Sequence, residues 1–199
     1  MREAVEKKVL SENDRLAAAL RQRYRDEGIL CVNLVSSPGS GKTTLLEKTL
    51  ETFPRDTAVA VLTADLQTDN DVRRLARYGF PVRQIVTGGT GHLDARMVDR
   101  HLNEMGFHGP GVLVIENVGN LVCSYDLGEA AKIVLLSVTE GEDKPLKYPG
   151  IFHRSALMIL TKADLLAHVE FSAELALEKM VWLGALQQKV RHQAAAAIT

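Results

Sequence analysis

Apolar residues recur along this chain in two alternating styles: helical spacings of three and four, and short unbroken runs. Residues 3–27 carry Val5, Val9, Leu16, Ala19, Leu20 and Tyr24 among many charges, which predicts a lead-in helix closed by Gly28. Ser11 with Asp14 three residues on reads as a capping box restarting that helix. Ile29–Val35 is a continuous apolar run and predicts a first strand. Beyond it, Leu45, Leu46 and Leu50 fall on one helical side and Glu47 and Lys48 on the other. Further strands are predicted at Thr57–Thr63, Val82–Val86, Gly111–Ile115, Lys132–Val138 and Ala156–Leu160. Helical patterns lie between them at Asn70–Tyr78, stopped by Gly79, and at His92–Met105, with Leu93, Met97, Val98 and Leu102 on one face.

Several of these strands are apolar throughout, which is how strands covered on both faces read. Alternating strands and helices predict an α/β fold: a doubly wound, mostly parallel sheet of about six strands, with ligands at the strand C-termini. The 199 residues fit one domain, with residues 1–28 a helical lead-in and 172–199 an amphipathic helix followed by a tail containing the alanine run 194–197.

The first strand gives way to Ser36-Ser37-Pro38-Gly39-Ser40-Gly41-Lys42-Thr43, and a helix starts at its end. Strand, small-residue loop and helix in this order make a phosphate-binding P-loop. Small residues let backbone N–H groups curl around an anion while the new helix turns its positive end towards it. Lys42 reaches the β/γ-phosphates in this reading, and the Thr43 hydroxyl sits on Mg²⁺. Ser36 stands where the motif has its first glycine, which is sterically allowed if its φ is negative.

Composition narrows the class. A hydrophobic share of 46% and a charged share of 25% are ordinary for a globular protein, and a net charge of −1 supplies no basic stripe for nucleic acid. Cys31 and Cys123 are the only cysteines, too few for a disulfide scaffold and consistent with a reducing cytosol. No apolar run approaches the roughly 20 residues of a membrane span, and no signal pattern opens the chain. The expectation is a cytoplasmic protein that contacts neither membrane nor nucleic acid.

Three acids stand at predicted strand ends. Asp65 follows strand two in Asp65-Leu66-Gln67-Thr68-Asp69-Asn70-Asp71, where a magnesium-side carboxylate belongs; Asp69 and Asp71 read as caps or solvated charges. Glu116 follows four apolar residues, the Walker B arrangement, with a structural buried-edge acid as the alternative. Gly119, three residues later, is similar to the switch glycine of GTPases whose N–H meets the γ-phosphate. Thr161-Lys162-Ala163-Asp164 follows the sixth strand and is similar to the segment by which GTPases read guanine: the Asp164 carboxylate accepts the N1 and N2 protons and the Lys162 stem packs on the base. Asp164 as a helix N-cap is the alternative. His92 opens a helix after Thr87-Gly88-Gly89-Thr90-Gly91, and Cys123 lies in the loop after Glu116. Imidazole plus thiolate suits Zn²⁺ or Ni²⁺, though two ligands need a second subunit to complete a tight site.

Together these motifs resemble the HypB-type GTPases that help load nickel into nickel–iron hydrogenase, a SIMIBI-class P-loop family. The resemblance runs from about residue 8 to about residue 171. It is carried by residues 32–47, by Asp65–Asp71, by His92-Leu93-Asp94-Ala95, by Ile115–Cys123 and by Leu136–Pro149 (Leu-Ser-Val-Thr-Glu-Gly-Glu-Asp-Lys-Pro-Leu-Lys-Tyr-Pro). It implies a slow GTP hydrolase working as a nucleotide-dependent homodimer, with GTP, Mg²⁺ and Ni²⁺ or Zn²⁺ as ligands. It also implies a nickel-delivery partner and the hydrogenase large-subunit precursor as partners. Carried over residue by residue, Pro38, Gly39, Ser40, Gly41, Lys42, Thr43, Thr44 and Gly119 hold the nucleotide phosphates. Lys162 and Asp164 read the base; Lys42, Thr43, Asp65 and Glu116 are catalytic; Thr43, Asp65 and Glu116 lie at Mg²⁺; His92 and Cys123 hold the transition metal. Lys144 and Lys147 serve nucleotide or dimer contact.

Three departures qualify this. Gly91 stands where the family has a cysteine directly before the histidine, which removes the softer, anionic ligand. No N-terminal cysteine motif or His-rich stretch is present, so the high-affinity or storage site such a segment provides is expected to be absent. Residues 172–199 replace the family's last strand and guanine-touching loop. Two rival readings follow: a GTP-dependent dimerising scaffold with an impaired metal site, and a small-molecule P-loop kinase.

Overall fold

The computed structural model describes residues 2–65, 70–87, 91–122 and 125–182, with side chains throughout except those of residues 2–9, 65 and 182. Six strands form one all-parallel sheet in the order β3-β2-β4-β1-β5-β6. They are β1 (Ile29–Ser36), β2 (Val59–Asp65), β3 (Val82–Val86), β4 (Gly111–Glu116), β5 (Ala131–Ser137) and β6 (Leu157–Thr161). The helices are α1 (Arg2–Glu27), α2 (Lys42–Thr52), α3 (Asn70–Ala76), α4 (Ala95–Met105), α5 (Lys144–Lys147), α6 (Pro149–His153) and α7 (Ala173–Trp182), with a 3₁₀ segment at Ala163–His168. The expected α/β sheet of six strands is observed.

Side chains alternate across each strand, so β1 sends Cys31, Asn33 and Val35 to one face and Leu34 to the other. On the first face, α1 and α4 cover Cys31, Ala60, Leu62, Ile85, Leu113 and Ile115, while α6 and α7 cover Val35, Val134 and Leu136. On the second face, Leu46 and Leu50 of α2 and Leu75 of α3 pack on Leu34, Val59, Val61 and Val114. Burial on both faces explains the unbroken apolar runs. At about 25 cal/mol per Å² of apolar area removed from water, it is the main source of stability.

Several boundaries differ from those expected. The helix α1 is uninterrupted, so Ser11 and Asp14 restart nothing: staying helical keeps Ala17, Leu20 and Tyr24 on the sheet. Strand β2 begins at Val59 because Thr57 is tied in a turn to the Pro54 carbonyl. Likewise α4 begins at Ala95, not His92, because the Asp94 side chain accepts from Met97 N at 2.8 Å and caps it. Of the expected C-terminal helix, Ala173–Trp182 is helical, and the expected tail from residue 183 lies outside the described residues. No described helix is long and apolar enough to cross a membrane.

Candidate functional site

The central pair β1 and β4 ends beside the loop 37–41, and register aligns Leu34 with Glu116 and Thr63 with Glu116. These three share the face that α2 covers, so the strand ends deliver the Glu116 carboxylate to the start of α2. There Thr43 Oγ1 donates to Glu116 Oε1 at 2.6 Å. A cleft of about 390 Å³ opens between loop and strand ends, lined among others by Gly39, Lys42, Thr43, Glu116 and Gly119.

Loop 37–41 is held from several sides. Lys42 is buried, and its Nζ donates to Ser36 Oγ at 2.8 Å. Ser36 itself has negative φ, as its place in the motif requires, and its hydroxyl donates to the Ser37 carbonyl at 2.6 Å. Ser40 Oγ is hydrogen-bonded to Glu140 and to the Ser37 carbonyl. Lys144 Nζ approaches Ser37 Oγ at 3.3 Å and Glu140 Oε2 at 3.5 Å, whereas Lys147 points away to pair with Asp143 at 2.7 Å. The two lysines therefore have different settings, and of the two it is Lys144 that reaches the cleft loop.

Gly119 packs on the same loop from the other side. A Cβ there would lie 2.9 Å from Pro38 Cα and 3.1 Å from Pro38 N, so no side chain fits without backbone movement. At the far edge, Thr161 Oγ1 donates to the Ser40 carbonyl at 2.7 Å, linking the end of β6 to the cleft loop. Lys162 next to it has φ 58°, the left-handed region that non-glycine residues occupy only at a cost. It stands at the N-cap position of the 3₁₀ segment, with Asp164 inside the first turn, so Asp164 is not that segment's N-cap. Both Lys162 and Asp164 are exposed.

Glu116 is 4% exposed, and burial pushes its carboxyl up from 4.5 to about 7, opposed by the Thr43 hydrogen bond and aided by the nearby Asp71. Among the described residues its Oε2 and the Thr63 hydroxyl have no hydrogen-bond partner although buried. An unsatisfied carboxylate oxygen beside the Thr43 hydroxyl, in a cleft that both residues line, is a ligand set that suits a hydrated divalent cation. Asp65 ends β2; its side chain and residues 66–69, Asp69 included, lie outside the described residues.

Sequence reasoning missed Arg74 and Glu140. Arg74 lines the cleft, with Nε and Nη2 on the Glu47 carboxylate at 3.1 and 2.6 Å and Nη1 3.5 Å from Asp71. Asp71, expected to be a cap or solvated charge, lines the cleft beside it. Nothing in a helical pattern distinguishes Arg74 from Arg73. Glu140 had a signal, an acid just past the C-terminal end of a central strand.

The second candidate cluster is less complete. The His92 ring stands edge-on to Tyr125 with centroids 5.0 Å apart, and Asn120 Nδ2 donates to the Gly91 carbonyl at 3.3 Å. Asn120 and Tyr125 thus meet the Gly91-His92 segment, but Cys123 lies outside the described residues. Among the described residues no three His, Cys, Asp or Glu side chains gather as a metal site. Asn13 of α1 joins the two segments: its Nδ2 donates to the Asp126 carbonyl and its Oδ1 accepts from Ala95 N, each at 2.9 Å.

A profile described as CobW/HypB/UreG, nucleotide-binding domain matches residues 30–182. The chain belongs to this family. Within it, the hydrogenase maturation factor HypB of Azotobacter chroococcum mcd 1 is 52% identical over 172 residues, covering 85% of this chain and 56% of that protein. HypB of Escherichia coli strain K12 is 50% identical, covering 85% and 59%. The chain therefore spans a little over half the length of these curated relatives. The crystal structure of HypB from Helicobacter pylori in complex with nickel superposes with a TM-score of 0.80 at 44% identity, covering 87% of this chain and 83% of that one. The family resemblance expected from the motifs is correct.

Proposed function

We propose that this chain is a GTP-binding and slowly GTP-hydrolysing nickel metallochaperone of hydrogenase maturation, working as a nucleotide-dependent homodimer in the cytoplasm. The observation that carries the reading is the convergence of Lys42, Thr43 and Glu116 on one cleft at the C-terminal ends of the two central strands. In this reading loop residues 39–44 cradle the phosphates through backbone N–H groups, Pro38 shaping the loop without a donor of its own, and Lys42 leaves Ser36 for the β/γ-phosphates. Gly119 brings its backbone against Pro38, close enough to sense what the loop holds. Lys162 and Asp164, anchored by Thr161, read the base.

Thr43, Glu116 and Asp65 are the residues that would hold Mg²⁺, and the unsatisfied Glu116 Oε2 supports this. Bound there, the ion would neutralise charge on the β- and γ-phosphate oxygens. Nickel is cargo, taken by His92 and Cys123 with ligands from a second subunit, and passed from a nickel-delivery partner towards the hydrogenase large-subunit precursor; Zn²⁺ competes for the same donors. The supports are the 52% identity to a hydrogenase maturation factor and the nickel complex of the Helicobacter pylori relative.

Titrating Ni²⁺ or Zn²⁺ with and without GTP tests the reading. Metal binding above a His92→Ala control, altered by nucleotide, is expected; no difference leaves the nucleotide-dependent scaffold. Competition between ATP and GTP removes the kinase reading if GTP wins and removes Asp164 as base reader if ATP does.

A further inference from the structure

Residues 117–130 connect the end of β4 to the start of β5, and both stems of this loop reach one side chain. Asn33, on the central strand β1, is fully buried. Its Oδ1 accepts from Asn117 Nδ2 at 3.2 Å, and its own Nδ2 donates to Glu129 Oε1 at 3.1 Å. Each partner then fixes its own stem. Asn117 Oδ1 accepts from Val118 N at 2.9 Å. Glu129 Oε2 accepts from Leu127 N at 2.7 Å, and its Oε1 pairs with Lys132 Nζ at 3.2 Å, both side chains buried.

An apolar residue is the ordinary occupant of such a position, since Cys31 and Val35 on the same face of β1 are buried in apolar clusters. A polar amide here is tolerated because both of its ends are paired, and it stays paired only while both stems hold their places. Strand alternation makes the link useful. Glu116 faces α2 and the cleft, while Asn117, the next residue, faces Asn33 on the opposite side of the sheet. Two residues further, Gly119 packs on Pro38 of the cleft loop. Beyond the other partner, Tyr125 meets His92 and Asp126 is bound by Arg21 and Asn13.

We propose that Asn33 is a positioning residue that clamps both stems of the 117–130 loop to β1, so that a shift of Gly119 against Pro38 is carried to Glu129 and the Tyr125–Asp126 stretch beside His92. The clamp stands on its own geometry; its meaning as a link between nucleotide and metal rests on the proposed function.

Hydrogen exchange on the full chain tests it with three forms. Asn33→Asp keeps the acceptor for Asn117 but sets a second carboxylate against Glu129. Adding Glu129→Gln gives the new carboxylate an amide donor at unchanged net charge, while that amide nitrogen replaces the oxygen that paired with Lys132. In ligand-free protein, Asn33→Asp is expected to speed exchange at 118–119 and 127–128 together by about tenfold, the size of a lost buried partner, with β3 and α7 unchanged. The double variant is expected to return both stems towards wild type. With Mg²⁺ and a non-hydrolysable GTP analogue, wild type should protect 39–44 and 125–130 together, and Asn33→Asp only 39–44.

Loosening of one stem alone by Asn33→Asp, loosening of neither, or a double variant as loose as the single at 118–119, the stem that the Lys132 pair does not touch, overturns the clamp. Should Asn33→Asp not fold, Asn33→Ser removes the bridge without adding charge and is read on the same amides, both stems again expected to loosen. Absence of protection at 39–44 in wild type counts against the nucleotide reading alone, while the ligand-free comparison still decides the clamp.

Discussion

Thr161 and Ser40, 121 positions apart in sequence, are joined by a 2.7 Å hydrogen bond from the threonine hydroxyl to the serine carbonyl. The segment similar to a base-reading motif is thereby fixed to the loop similar to a phosphate-binding one. Thr161→Val keeps the shape of a strand-end residue and removes only the donor. GTP affinity should fall about fivefold to tenfold, the effect of one hydrogen bond of about 1 kcal/mol, with the thermal midpoint little changed. Calorimetric titration with GTP and GDP checks this; unchanged affinity would separate the two segments functionally.

The contact between Gly119 and Pro38 leaves no room for a methyl group. Gly119→Ala should therefore displace loop 37–41 or the 117–122 stretch, costing about 1–3 kcal/mol in stability, the usual range for overpacking. Nucleotide affinity should fall further than in Thr161→Val. Denaturant unfolding beside nucleotide titration measures both, and a fully stable, tightly binding variant would contradict the geometry.

Glu116 gives the cleft a pH dependence of its own. Its folded pKa, about 7, lies above the ordinary 4.5, so the folded state holds this proton more tightly than the unfolded chain does. The resulting stabilisation is complete below about pH 4.5 and is lost as pH rises to about 7, an effect of up to about 3 kcal/mol. Glu116→Gln cannot ionise and should flatten that window, being more stable than wild type at pH 8 in EDTA without nucleotide while losing hydrolysis. Urea titrations at intervals of pH test it, and identical profiles for the two proteins would refute it.

Gly91 has φ 66°, and among the described residues no atom beyond its chain neighbours lies within 4 Å of a Cβ placed on it. Gly91→Cys therefore meets no clash among the described residues, and its cost is that of the left-handed backbone, about 1–2 kcal/mol. A thiolate added beside His92 should raise Ni²⁺ and Zn²⁺ affinity by at least tenfold while lowering the thermal midpoint. Metal titration alongside thermal unfolding distinguishes this from a segment placed wrongly for coordination, in which affinity stays flat.

Sequence by itself determined the strands and the chemistry adjacent to them. Unbroken apolar runs required burial on both faces and hence a parallel sheet, and an acid, a lysine or a glycine at a run's end is placed by the strand preceding it. This is why Lys42, Thr43, Glu116 and Gly119 were legible, with Val82–Val86 matching the observed strand residue for residue. Tertiary structure decided what depends on distant partners. Burial and strand register, not local pattern, bring Thr161 to Ser40, Arg74 to Glu47 and Asn33 between Asn117 and Glu129. The same reason separates Lys144 from Lys147, and sets α4 to begin at Ala95 after a capping aspartate. Periodicity reports which face a residue takes; only the packed sheet reports which residue meets it there.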